Sequence, residues 1–161
     1  MLNVKYVITL EELLHPAFEH IFSGTLFHQG KYQKANVYKF EYALSRVFFV
    51  QDAEIIPNMN DQLEVLRQKG FNPLNTAVLE KQIGNITYHP DSHALITYWS
   101  PDKIEIQAEV STDQLMVLSE IYYPEGWKIT SHPNWAIHQV NSILRGIKVP
   151  SGKHHIVMEF I

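Results

Sequence analysis

His89, Asp91 and His93 form an H-x-D-x-H pattern within Tyr88-His89-Pro90-Asp91-Ser92-His93. On an extended chain these side chains fall on one side, as a metal centre with nitrogen and oxygen ligands requires. Pro90 and Asp91-Ser92 are turn formers that break that geometry, so the segment reads as a solvated turn and no metal site is assigned. His154 and His155 are neighbours in a predicted strand, point to opposite faces and cannot chelate one ion together. Ser119-Glu120 lacks a G-x-S-x-G elbow and has no histidine close in sequence to act as its base. Glu105, Glu109, Asp113 and Glu120 are carboxylates of the kind glycoside hydrolysis uses in pairs, yet alternation on a wet strand face accounts for Glu105 and Glu109 without chemistry. The chain contains no cysteine, which excludes disulfides, thiolate zinc sites and thiol nucleophiles. No catalytic residue and no cofactor is assigned.

The aromatic residues carry more. Tyr122, Tyr123 and Trp127 flank Pro124-Glu125-Gly126, and Tyr98 and Trp99 close another predicted strand beside Pro101. Rings at strand rims can stack on sugar faces while Arg145, Glu120 or Lys128 hydrogen-bonds the hydroxyls; equally, they can close the ends of an apolar core. Tyr122, Tyr123, Trp127, Arg145 and Glu120 are the candidate carbohydrate-binding residues. Glu120 and Arg145 are also expected to form a partly buried ion pair.

Positioning these residues is the task of a chain of 161 residues, 45% apolar and 19% charged, which fits a single globular domain. The formal net charge of −4 and the absence of a basic block argue against nucleic-acid binding. No apolar run approaches the roughly 18 residues of a membrane helix, and Met1 to Thr9 lacks the basic segment and apolar stretch of a secretory signal.

Asn3 to Ile8 alternates as a half-buried strand, and a short helix broken at Pro16 is expected between Thr9 and Gly24, where Thr9 and Glu12 resemble a capping box. Strands are expected at Thr25–His28, Asn36–Phe40 and Arg46–Val50. Gln62 to Lys69 reads as a helix capped by Asp61 and stopped by Gly70. Short strands are expected at Thr76–Glu80 and Asn85–Tyr88. Six more follow at Ala94–Trp99, Lys103–Ser111, Gln114–Tyr123, Trp127–Ser131, Ile143–Val149 and His154–Phe160, separated by Pro-, Gly- and Asp-containing turns. Ile104, Ile106, Ala108 and Val110 alternate with Lys103, Glu105, Gln107 and Glu109, one face dry and one wet. The expected fold is mostly β, an antiparallel jelly-roll-like β-sandwich with one or two short helices. No linker composition divides the chain.

The stretch Leu115-Met116-Val117-Leu118-Ser119-Glu120-Ile121-Tyr122-Tyr123-Pro124-Glu125-Gly126-Trp127-Lys128 resembles a signature of the YfhO-like bacterial membrane proteins, a strand ending in Leu-Ser-Glu that leads into Tyr-Tyr-Pro-Gly-Trp-Lys. Leu144-Arg145-Gly146-Ile147-Lys148-Val149-Pro150-Ser151-Gly152-Lys153-His154 is similar to that family's second strand pair, and Leu2-Asn3-Val4-Lys5-Tyr6-Val7-Ile8 to its opening motif. Val37-Tyr38, Leu44 to Val50 and Phe71-Asn72-Pro73 follow the family order between them. The chain departs from the pattern at the inserted Glu125, and Ser131-His132-Pro133-Asn134-Trp135 stands where the family has an Asp-Gly turn.

The resemblance implies a soluble extracytoplasmic domain, residues 1–161, excised from a polytopic membrane protein related to lipid-carrier-dependent glycosyltransferases. It further implies a non-catalytic accessory role at the bacterial cell membrane, engaging cell-envelope glycan, with the protein's own membrane-spanning portion as partner. The alternative is a structural or protein-interaction ectodomain without a ligand.

Overall fold

The computed structural model describes residues 3–161; Leu2, which opens the first family-like motif, lies outside the described residues. The described chain falls into two compact units, residues 3–44 and 45–161.

The first unit is one antiparallel sheet of β1 (Tyr6–Thr9), β2 (Phe18–His28) and β3 (Lys31–Phe40), with β3 in the centre. Gln29 and Gly30, at φ of +50° and +79°, make the two-residue turn between β2 and β3, a geometry whose twist matches that of the flanking strands. The helix expected between Thr9 and Gly24 does not form. His15-Pro16-Ala17 is a turn closed by the Phe18 amide on the His15 carbonyl (3.0 Å), and Glu19 to Gly24 pairs with β3 instead. The Thr9 hydroxyl accepts from the Glu11 amide at 3.1 Å, a local turn in place of a helix cap. Asn3 ties off the unit, its side chain donating to the Leu44 carbonyl and accepting from the Leu44 amide.

The second unit stacks two sheets in a sandwich-like arrangement. A four-stranded antiparallel sheet runs β10-β13-β8-β7, and a six-stranded sheet runs β4-β9-β12-β11-β6-β5. The strands of the second unit are β4 (Val47–Phe49), β5 (Asp52–Ile55), β6 (Thr76–Leu79), β7 (His93–Trp99), β8 (Lys103–Val110), β9 (Gln114–Ile121), β10 (Trp127–Ile129), β11 (Ile137–Val140), β12 (Leu144–Val149) and β13 (Gly152–Phe160). As the alternation predicts, β8 buries Ile104, Ile106, Ala108 and Val110. They meet Ile156 and Met158 of β13, Met116 and Leu118 of β9, and Ile147 and Val149 of β12 in the core between the sheets. Leu115 and Val117, on the opposite face of β9, join Leu79, Val140 and Leu144 in a second core on the far side of the six-stranded sheet. That double burial is why Leu115 to Leu118 reads as an unbroken apolar run.

The expectation of a wholly antiparallel arrangement fails at one place. β5 and β6 are parallel neighbours joined through the helix α1 (Met59–Leu66), the crossover that parallel pairing requires. The helix begins earlier than Gln62, because the Asn58 side chain, not that of Asp61, accepts the free amides of Asn60 and Asp61. It ends at Leu66, and Gly70 does not take a positive φ. Gln62 is buried; its amide donates to the Ile56 carbonyl at 2.7 Å and accepts from Ser142 at 3.0 Å, anchoring the helix to the β11–β12 turn. Asn85 to Tyr88 is irregular, not a strand, with Ile86 packed over the second core. Among the described residues no helix is long and apolar enough to cross a membrane.

Candidate functional site

Arg145 is the residue around which the candidate set must be placed. Its side chain falls on the same strand face as those of Ile147 and Val149 and so faces the inter-sheet core, at the end of the sandwich where β10 begins; the ladder irregularity beside it lies in β9, where Ser119 and Glu120 stand between the pairs Leu118–Arg145 and Ile121–Leu144. It is only 4% exposed, its Nε donates to the Ile121 carbonyl at 2.8 Å, and its guanidinium lies 4.2 Å from the centre of the Trp127 ring. Burial lowers the Arg145 pKa and the nearby Glu120 carboxylate opposes that shift. Glu120 itself hydrogen-bonds Arg46, whose guanidinium lies over Trp99 at 5.1 Å. The expected Glu120–Arg145 pair is therefore replaced by Glu120–Arg46, with Arg145 donating to the Ile121 carbonyl instead. One end of the sandwich thus carries Trp127, Arg145, Glu120, Arg46 and Trp99 in succession.

Trp127 and Arg145 are packed into the domain. Trp127 is 9% exposed and belongs to the core. Arg145 is behind that ring, so it supports the indole and does not present its guanidinium to solvent. Tyr122 is half-buried, and its amide donates to the Ile143 carbonyl at 2.7 Å. Tyr123 is exposed and stacks on Phe160, centroids 6.0 Å apart and 12° between planes. Phe160 in turn meets the Trp127 ring edge-on at 5.9 Å. A Cβ at Gly126 would press on the edge of the Phe160 ring, which would have to shift to admit it.

The concave feature beside this end wall lies along β10. The edge strands β4 and β7 touch and close one side of the sandwich, whereas the opposite side is open between β10 and the segment leading to β11. A groove of about 540 Å³ occupies the opening, lined by Trp127, Trp135, Ile137, Pro124 and Pro133, with Lys128 and Thr130 among its polar residues. Trp135 is half-buried and stacks on His132 at 4.1 Å, with His154 edge-on at 5.1 Å. Burial, and secondarily the charges of His154 and His155, lower the His132 pKa. Lys128 donates to the Pro124 carbonyl at 3.0 Å. Thr130 donates its amide to Val157 of β13, so by antiparallel alternation the amide and carbonyl of Ile129 face the open edge. The groove thus combines two indoles with a cation, a hydroxyl and free backbone polar groups. Trp135 and His132 were absent from the sequence-derived set because they fall in the segment that departs from the family pattern and shows no strand periodicity.

Elsewhere the carboxylates each engage a separate basic partner: Glu105 with Lys103 (2.7 Å) and His155 (2.9 Å), Glu109 with Lys153 (3.1 Å), and Asp113 with Lys148 (3.6 Å). The His89 and His93 rings hydrogen-bond the Asp91 backbone, as expected of a turn. Among the described residues no group of three His, Asp or Glu side chains is placed to hold a metal ion.

Comparison with family models, with curated proteins and with solved structures finds no match for this chain.

Proposed function

We propose that this chain is a non-catalytic carbohydrate-engaging domain whose binding site is the groove along β10. The observation that carries the reading is the pairing of Trp127 and Trp135 in one open groove with Lys128, Thr130 and the Ile129 backbone at hand. Apolar rings with a few convergent polar groups suit a sugar ring, which offers one apolar face and a rim of hydroxyls. The set differs from the one inferred from sequence: Trp135 and Lys128 join Trp127 in the groove, while Arg145 and Glu120 support the end wall.

The resemblance to YfhO-like membrane proteins supports the wider setting. In that setting the second unit is a jelly-roll-like sandwich on the extracytoplasmic face of the bacterial cell membrane. It is attached to a membrane-spanning, glycosyltransferase-like body and engages cell-envelope glycan for it. A second reading, a protein-interaction ectodomain, is favoured by the same open edge, since an extended peptide can pair with the Ile129 backbone.

Calorimetric titration with a panel of envelope oligosaccharides tests the proposal. Wild type binds at least one of them, and Trp135→Ala weakens that binding by about 1–3 kcal/mol while retaining the fold. Absence of binding across the panel by folded wild type overturns the carbohydrate reading and leaves the interaction ectodomain.

A further inference from the structure

The outer part of the β2–β3 ribbon presents exposed apolar and basic side chains, with Leu26 bordering Ile8 and Leu10 across a shallow hollow on one face. β1 pairs only with Asn36 to Lys39, so from Ala35 to the turn the ribbon is two-stranded. In this stretch Leu26 pairs with Gln33 on one face, and Phe27 pairs with Tyr32 on the other, ring centroids 5.1 Å apart. Leu26, Phe27 and Tyr32 are 42%, 60% and 77% exposed. A two-stranded ribbon is marginally stable alone and gains nothing from apolar groups left in water.

Charge is segregated in the same place. Between Glu19 and Glu41 the sequence contains no acidic residue but has Lys31, Lys34 and Lys39 along with His20 and His28, in a chain whose net charge is −4. Lys39, at the base, is neutralised by Glu19 and Glu41 at 3.3 and 2.9 Å. Among the described residues Lys31 and Lys34, near the tip, have no ion-pair partner.

We propose that the β2–β3 tip docks on an anionic lipid surface, with Leu26, Phe27 and Tyr32 entering the headgroup boundary and Lys31 and Lys34 meeting lipid phosphates. Apolar groups on both faces of a narrow tip suit immersion in a medium better than docking on one flat protein surface. Aromatic rings with flanking lysines match the composition of the membrane interface. A second copy would bring the same uncompensated lysines against these, a like-charge contact. A single strand of nucleic acid would use rings on one face and has no use for Leu26. This inference rests on residues 24–35 and is independent of the β10 groove.

Vesicle co-sedimentation tests it, using equal parts phosphatidylglycerol and phosphatidylcholine against phosphatidylcholine alone, each at low and high salt. Wild type partitions onto the anionic vesicles, less so at high salt, and not onto neutral ones. The double variant Lys31→Glu, Lys34→Glu loses binding on the order of 10- to 30-fold, at roughly 1 kcal/mol for each basic residue at the surface. Phe27→Ser with Tyr32→Ser weakens binding as well, and Leu26→Gln gives the same direction if that pair disturbs the ribbon's circular dichroism. Failure of wild type to bind anionic vesicles, or equal binding by the charge-reversed variant, overturns the proposal. So does a concentration-dependent dimer without vesicle binding, which assigns the tip to a second copy. Binding to heparin that is as tight as to vesicles and insensitive to the ring variants overturns it in favour of a soluble polyanion.

Discussion

The Arg145 guanidinium lies against the inner face of the Trp127 ring, 4.2 Å from its centre, and fixes that indole between the core and the open β10 edge. The contact links the two sheets, since Arg145 is on β12 and Trp127 on β10. It gives the groove a rigid back wall without exposing a charge to it.

Trp127→Ala removes a core ring and leaves Arg145 facing a cavity. A loss of about 3–5 kcal/mol is expected in a denaturant melt, the range for aromatic truncation in a core. A loss below about 1 kcal/mol would show that the ring is not packed as described.

Arg145→Met should behave differently. Arg145 makes one hydrogen bond through Nε and leaves Nη1 buried without a partner, while Glu120 keeps its own partner in Arg46. Replacing a poorly satisfied buried cation by an apolar side chain of similar length is often neutral or stabilising. The expected melt is within about 1 kcal/mol of wild type or above it; Arg145→Ala, which also deletes packing, falls below both.

Gly146→Ala places a Cβ 2.3 Å from Val140 Cγ2 and 3.1 Å from Leu115 Cδ1, both on fully buried side chains. Overpacking of this kind costs about 1–3 kcal/mol, measurable by the same melt.

Acid sensitivity follows from His132 and His138. Burial lowers both pKa values in the folded protein, so the unfolded chain binds more protons as pH falls through the ordinary histidine range near about 6.5. Their contribution is fully present above that range and is lost as pH drops toward the lowered folded values. Thermal melts from pH 7.5 down to 5 should show a falling midpoint. His138→Gln should flatten the fall; an unchanged slope in that variant contradicts the assignment.

The alternating β8 strand was legible from its sequence because each side chain reports one face. The run from Leu115 to Leu118 revealed a buried strand, but not that both faces are covered. The crossover β5-α1-β6 was hidden because Asp52 to Ile55 is short and mostly exposed, and the cap at Asn58 precedes the stronger-looking capping signal at Asp61 and Glu64. Thr9 to Gly24 misled because a Thr-x-x-Glu spacing serves a local turn as readily as a helix. The boundary near Ser45 carries no Gly- or Pro-rich linker to announce it. At the site, Trp127 was visible through its strand-end position. The β9 bulge at Ser119 and Glu120 and the seating of Trp135 depend on tertiary packing that local periodicity does not encode.

The most direct test of the groove uses the three tryptophans, Trp99, Trp127 and Trp135, whose indole N–H groups give three resolvable signals in a proton–nitrogen correlation spectrum. Trp127 and Trp135 line the groove, and Trp99 lies on β7, at the opposite edge of the four-stranded sheet. Titration with an envelope oligosaccharide should move the Trp127 and Trp135 signals along saturable curves with one shared dissociation constant and leave Trp99 in place. Saturable movement of Trp99 alone, or no movement of any indole at millimolar oligosaccharide, would contradict carbohydrate binding in the β10 groove.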